Sequence, residues 1–137
     1  MSRHKLRAIV LEPLPLPPRE LSPNRRVGLH YRTRAKLVKE YRESVGWFCK
    51  GKNRGEPLER ASIQVTAWLR DKRSVLDGDN CLAWLKSLFD GLQDGGVLAT
   101  DRNVIHYPPI QEINRDKAGF CRVVIHPSGE APVLALG

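Results

Sequence analysis

In the stretch Ile63-Gln64-Val65-Thr66-Ala67-Trp68-Leu69-Arg70, Ile63, Val65, Ala67 and Leu69 alternate with Gln64, Thr66, Trp68 and Arg70. A period of two places the sets on opposite faces of an extended chain and predicts a half-buried strand. Downstream, Asp79 or Asn80 is the expected cap of a helix that stops at Gly95-Gly96, with the apolar stripe Leu82, Leu85, Phe89 and Leu92. Upstream, Thr33 is the expected cap of an amphipathic helix whose Leu37, Val38, Tyr41, Val45 and Phe48 recur at helical spacing to about Lys50, before the basic loop Lys50 to Gly55. A first strand, Leu6 to Leu11, runs into Pro13, Pro15, Pro17 and Pro18, which cannot continue a ladder. Phe120 to Ile125 reads as the last strand, and 102–113 is ambiguous because Pro108-Pro109 interrupts it. The order predicts a single α+β domain, a small mixed sheet with two main helices, between a loose basic N-terminus (1–5) and a loose tail (127–137).

The chain has 137 residues, 41% of them hydrophobic, enough for a modest core and against a wholly disordered basic tail protein. Its longest apolar runs are a few residues, such as Ala8 to Leu11, where a membrane span needs roughly 20. No membrane partner is expected. The basic start, Met1 to Arg7, leads into four apolar residues and then Glu12-Pro13, too short for the core of a signal peptide, so the expected location is cytoplasmic. Cys49, Cys81 and Cys121 are odd in number and widely spaced, which predicts reduced, half-buried thiols. His4, His30, His106 and His126 are scattered, so a zinc site is not expected and any metal should be a hard ion held by oxygen.

Charge is unevenly placed. Lys+Arg number 23 against 15 Asp+Glu, a net +8. Residues 19–42 carry Arg19, Arg25, Arg26, Arg32, Arg34, Lys36, Lys39 and Arg42 against only Glu20 and Glu40, whereas 71–101 carry Asp71, Asp77, Asp79, Asp90, Asp94 and Asp101 against Lys72, Arg73 and Lys86. The basic segment suits the phosphates of a nucleic acid. It equally suits a solvated helix face that maintains solubility.

The acidic segment opens on Leu76-Asp77-Gly78-Asp79-Asn80, two carboxylates at a strand-to-helix turn that can converge on one cation. Positions 5, 6 and 12 of an EF-hand loop would be Cys81, Leu82 and Leu88, which excludes that motif. The alternative is structural: Asp79 caps the helix and Asp77 is a turn residue. On a helix, Asp79, Lys86 and Asp90 fall within about 40° of one another beside the apolar stripe, and a turn brings Asp101 back towards them. Three carboxylates and a lysine suit phosphoryl chemistry, in which Mg²⁺ polarises the phosphate and lysine offsets transition-state charge.

These residues, Asp77-Gly78-Asp79-Asn80, Leu85-Lys86, Phe89-Asp90-Gly91-Leu92, Gly95-Gly96 and Asp101, together resemble the RusA family of Holliday junction resolvases, common in bacteriophages and prophages. Pro17-Pro18, Leu21-Ser22-Pro23-Asn24, Tyr31-Arg32 and the basic helix after them are similar to that family's proline-rich loop, asparagine and following basic residues, so the resemblance covers roughly 8–126. It implies Asp77, Asp79 and Asp101 as ligands of Mg²⁺, with Mn²⁺ as a substitute, Lys86 as the catalytic lysine, Asp90 as a secondary site residue, and Asn24, Arg25, Arg26, Arg32, Arg34 and Lys36 as DNA contacts. Two departures stand out. Lys86 lies seven residues after Asp79, where the type member has four, a shift of about 4.5 Å along a helix with the face kept. Thr100-Asp101 stands where the family often has paired aspartates, leaving Asp101 as the expected ligand and Asp94 as its substitute.

The implied activity is paired, symmetric nicking of four-way DNA junctions by a homodimer. The alternatives are a non-catalytic DNA-binding protein with structural aspartates and a Mg²⁺ enzyme acting on a small phosphate. Trp84, away from the apolar stripe, is expected to be exposed in a monomer and to make a dimer contact.

Overall fold

A computed structural model describes residues 8–52 and 55–127, which form one mixed sheet packed beneath helices, an α+β fold. The elements are β1 (Ile9–Pro15), a 3₁₀ turn (Arg19–Leu21), α1 (Pro23–Arg26), α2 (Tyr31–Lys50), β2 (Ala61–Leu69), a second 3₁₀ turn (Lys72–Ser74), α3 (Gly78–Trp84), α4 (Lys86–Asp94), β3 (Val104–His106), β4 (Ile110–Ile113) and β5 (Phe120–Pro127). Positions 1–7, 53–54 and 128–137 lie outside the described residues, and with them the expected loose N-terminus, the start of the first strand and most of the tail.

The sheet runs β1-β5-β2-β3, with β4 also on β2. β5 is antiparallel to β1 and β2, while β3 and β4 are parallel to β2 at its two ends, Ala61–Ile63 and Thr66–Leu69. The ambiguous segment is thus two short strands, separated by the Pro108-Pro109 break that clouded its reading. β2 is buried at all nine positions instead of on one face. It is the central strand, and its polar face is covered: Gln64 Nε2 donates to the Pro108 carbonyl (2.7 Å), and Lys117 and Arg122 lie over the Trp68 ring at 4.5 and 5.3 Å.

The first strand extends through Pro13 and Pro15, further than its prolines suggested. β1 is at the sheet edge and its pairing with β5 shifts register between Leu11 and Leu14, the two settings in which a strand tolerates proline. Helix α2 starts two residues before Thr33, because His30 serves as N-cap by accepting the Arg32 N–H at its Nδ1 (3.1 Å). The expected single second helix is broken at Leu85 into α3 and α4.

The core lies between the sheet and the helices, with Ile63, Val65, Val123 and Ile125 below and Val45, Cys49, Leu85, Leu88 and Leu92 above. Helices α2 and α4 meet through glycine. A Cβ on Gly91 would fall 2.7 Å from Val45 Cβ, and one on Gly95 2.7 Å from Cys49 Cβ. All three cysteines are free and buried rather than half-buried; burial pushes the Cys49 and Cys81 thiols up to about 11 and Cys121 to about 12. Trp84 is buried, 3% exposed, with its indole N–H donated to the Pro18 carbonyl (3.0 Å) and Arg19 over its ring, which corrects its expected place in a dimer contact. No helix among the described residues is long and apolar enough to cross a membrane.

Candidate active site

The cap of α3 is Asp77, not Asp79 or Asn80. Its Oδ1 accepts the backbone N–H of Asn80 (2.9 Å) and its Oδ2 the Asn80 side-chain amide (3.1 Å). The carboxylate satisfies a donor that the helix start leaves unpaired and complements the positive end of the helix dipole. Asp79, relieved of that task, stands exposed in the first turn.

Asp79, Lys86, Asp90, Asp101 and His106 line one cavity of about 400 Å³, with Leu82, Ala83 and Phe89 as its apolar wall. The break at Leu85 does not scatter the helix residues, since α4 resumes at once with Lys86. Asp101 is brought in by the loop after α4: Leu98 bridges to Leu58, Ala99 donates to the Leu58 carbonyl (2.8 Å), and β3 then enters the sheet beside β2. Lys86 Nζ lies 3.4 and 3.5 Å from the Asp90 carboxylate oxygens; its side chain is 70% exposed, so this pair is weak and leaves the ammonium accessible. Asp77 sits at the helix mouth but not in the cavity lining. Asp94 is engaged elsewhere, bidentate with Arg42 at 2.8 and 2.8 Å, which removes it as a substitute ligand.

His106 is the residue that sequence reading missed. It faces the same side of β3 as Val104, two positions earlier, and its ring packs on Phe89 with centroids 4.2 Å apart. Burial lowers its pKa from 6.5, and the charge of Asp101 acts in the opposite direction. Its Nδ1 is buried with no hydrogen-bond partner, a condition that ordinarily costs about 1–3 kcal/mol. The usable signal was the Val104/His106 alternation; discounting histidines for being scattered in sequence concealed it.

By residue type alone, Asp79, Asp90 and Asp101 bring to one cavity the carboxylate oxygens that hard divalent cations take. Their arrangement is another matter: among the described residues no group of three or more His, Cys, Asp or Glu is placed so that it could hold a metal ion.

Of the expected DNA contacts, Asn24, Arg25 and Arg34 line two grooves flanking Trp84, while Arg32 and Lys36 line neither. One, about 730 Å³ between α2 and α4, is lined by Arg34, Lys39, Arg42 and Tyr31 and shares Ala83, Lys86 and Asp90 with the acidic cavity. The other, about 810 Å³, holds Asn24 and Arg25 with Arg19, Arg70 and Arg73, of which the last three were not expected as site residues. Burial and the neighbouring Arg25 both lower the pKa of Arg19, whose guanidinium donates to the Ser74 carbonyl. Lys36 and Arg32 are exposed on α2, the latter with Nε 3.3 Å from the Tyr31 hydroxyl, and Arg26 lies on α1. Neither protein-family models nor curated proteins give a match to this chain.

Proposed function

We propose that the chain is a RusA-like, divalent-cation-dependent endonuclease that resolves four-way DNA junctions by paired nicks, acting as a homodimer in the cytoplasm of a bacterial cell or phage-infected host. One observation carries the reading: Asp79, Lys86, Asp90 and Asp101, drawn from two helices and a distant loop, line one cavity that shares Lys86 and Asp90 with a groove bearing Arg34 and Lys39. A surface that merely repelled aggregation would have no need to gather carboxylates beside cations.

In this reading Asp79 and Asp101 hold Mg²⁺ or Mn²⁺, with Asp77 at the adjoining helix mouth. When bound, the cation supplies Lewis-acid polarisation of the phosphodiester and an activated water for its hydrolysis to 5′-phosphate and 3′-hydroxyl ends. Lys86 places a positive charge where negative charge develops in the transition state. Asp90, one turn along α4, pairs loosely with the Lys86 ammonium and leaves it accessible to a phosphate. Arg34 and Lys39 hold the strand backbone beside the cut, and Asn24, Arg25, Arg70 and Arg73 hold a second stretch of phosphates, so binding weakens steeply with salt. Two cuts on one junction require two such chains.

Asp79→Asn and Asp101→Asn are expected to bind a synthetic junction as wild type does and to cut it at least about 100-fold more slowly, the usual loss for one preorganised electrostatic group. Equal cutting by all three proteins overturns the reading. A second reading, a DNA-binding protein that does not cut, draws on the structural duties of Asp77 and Asp94; it predicts junction binding with no nicks from wild type.

A further inference from the structure

We propose that the groove lined by Arg19, Arg25, Arg70 and Arg73 grips a second duplex arm of the branched DNA, and that this added hold makes binding selective for a junction over a linear duplex. The inference rests on the nuclease reading for DNA as the ligand and goes beyond it in naming the arm held and the residues that set the preference.

Three observations carry it. The first is separation. The groove between α2 and α4 shares Ala83, Lys86 and Asp90 with the acidic cavity, whereas the arginine groove shares no lining residue with that cavity and only Trp84 with the first groove. A strand seated beside the cavity therefore leaves the arginine groove open to other backbone phosphates.

The second is charge. Asp71 is the one carboxylate lining the arginine groove, and its Oδ1 accepts from the Ser74 N–H (3.2 Å) and hydroxyl (3.0 Å). None of the four arginines has an ion pair among the described residues. In the first groove, by contrast, Arg42 is paired with Asp94 and Lys86 with Asp90, and Glu43 adds a further carboxylate. The arginine groove is the more strongly positive of the two.

The third is order in the cation itself. Arg19 donates to the Ser74 carbonyl, and its guanidinium lies 4.9 Å over the Trp84 ring. A side chain already held in this way loses less freedom when it binds. Burial and then the charge of Arg25 lower the Arg19 pKa, and a phosphate between the two guanidinium groups would offset their repulsion. The planar arginine fork matches phosphate oxygens two at a time.

The preference follows from linkage of the two grooves. A linear duplex gains the affinity of one groove at a time. A junction with one arm in each makes its second contact within the complex, so overall affinity rises without any stronger single contact.

The test is binding by the intact chain in EDTA, read by the fluorescence anisotropy of a labelled four-way junction and of a linear duplex of the same sequence at the same salt. The variant Arg25→Gln/Arg70→Gln/Arg73→Gln replaces three exposed arginines. It should hold duplex affinity within about twofold, the statistical cost of one groove in two, and weaken junction affinity about tenfold or more. Arg70→Gln/Arg73→Gln should give a smaller loss in the same direction if the triple variant folds poorly. Equal losses on both substrates, or an unchanged junction preference, overturn the role of this groove and leave the nuclease reading standing. A wild-type protein that binds junction and duplex equally overturns both.

Discussion

Asp77 and Asp79 are two residues apart and do different work. Asp77 spends both carboxylate oxygens on Asn80, while Asp79 has neither cap nor ion pair among the described residues and faces the cavity. Sequence alone could place an aspartate cap at this turn but not choose between neighbours, because the choice depends on which backbone N–H is left free. Asp77→Ala should therefore lower stability by about 1 kcal/mol, the ordinary worth of a side-chain cap, as read from urea denaturation. Asp94 illustrates a carboxylate committed to structure. The hydrogen bond from Arg42 holds its carboxyl below the usual 3.8, against an opposing push from burial. A depressed carboxylate pKa contributes stability that is complete above the unfolded value and is lost as pH falls through the folded one. Since its side chain is 40% exposed, the contribution is under about 1 kcal/mol. Wild type should exceed Asp94→Asn in urea resistance at neutral pH, and the two should converge at about pH 2. A difference that persists in acid would assign the effect to packing.

Helices α2 and α4 approach as closely as they do because Gly91 and Gly95 face Val45 and Cys49. Gly91→Ala should destabilise the protein by roughly 1–3 kcal/mol, the cost of overpacking, even though alanine is the better helix former, and thermal unfolding will report it. An increase in stability would mean that the helices separate freely. The helices were legible because an apolar residue at every third or fourth position matches the helical period and not the period of two that a strand requires. Their junction was not: the break at Leu85 carries no proline or glycine, and Leu85 itself is buried in the core as the stripe requires. β2 was legible as a strand and misread as half-buried, because its Gln64 and Thr66 look solvent-facing, whereas both are buried and Gln64 is bonded to the Pro108 carbonyl. His106 was hidden for a related reason, since only the pairing of β3 with β2 carries it to α4.

At the scale of the whole molecule, the net charge of +8 separates into surfaces with distinct roles. Arginines and lysines line the two grooves beside Trp84, and Asp79, Asp90 and Asp101 gather in the cavity that adjoins one of them. Such a surface should bind DNA with an affinity that falls steeply as salt rises, and Arg70→Ala with Arg73→Ala should lessen that slope by roughly one for each phosphate they leave unneutralised. The central claim is cleavage, and a strand-labelled four-way junction tests it most directly when incubated with wild-type protein and Mg²⁺ or Mn²⁺ beside a linear duplex of the same sequence at the same salt. The expected result is a pair of symmetric nicks in opposite strands of the junction and none in the duplex. An intact junction under conditions where the protein is bound to it, or equal nicking of both substrates, would contradict the claim.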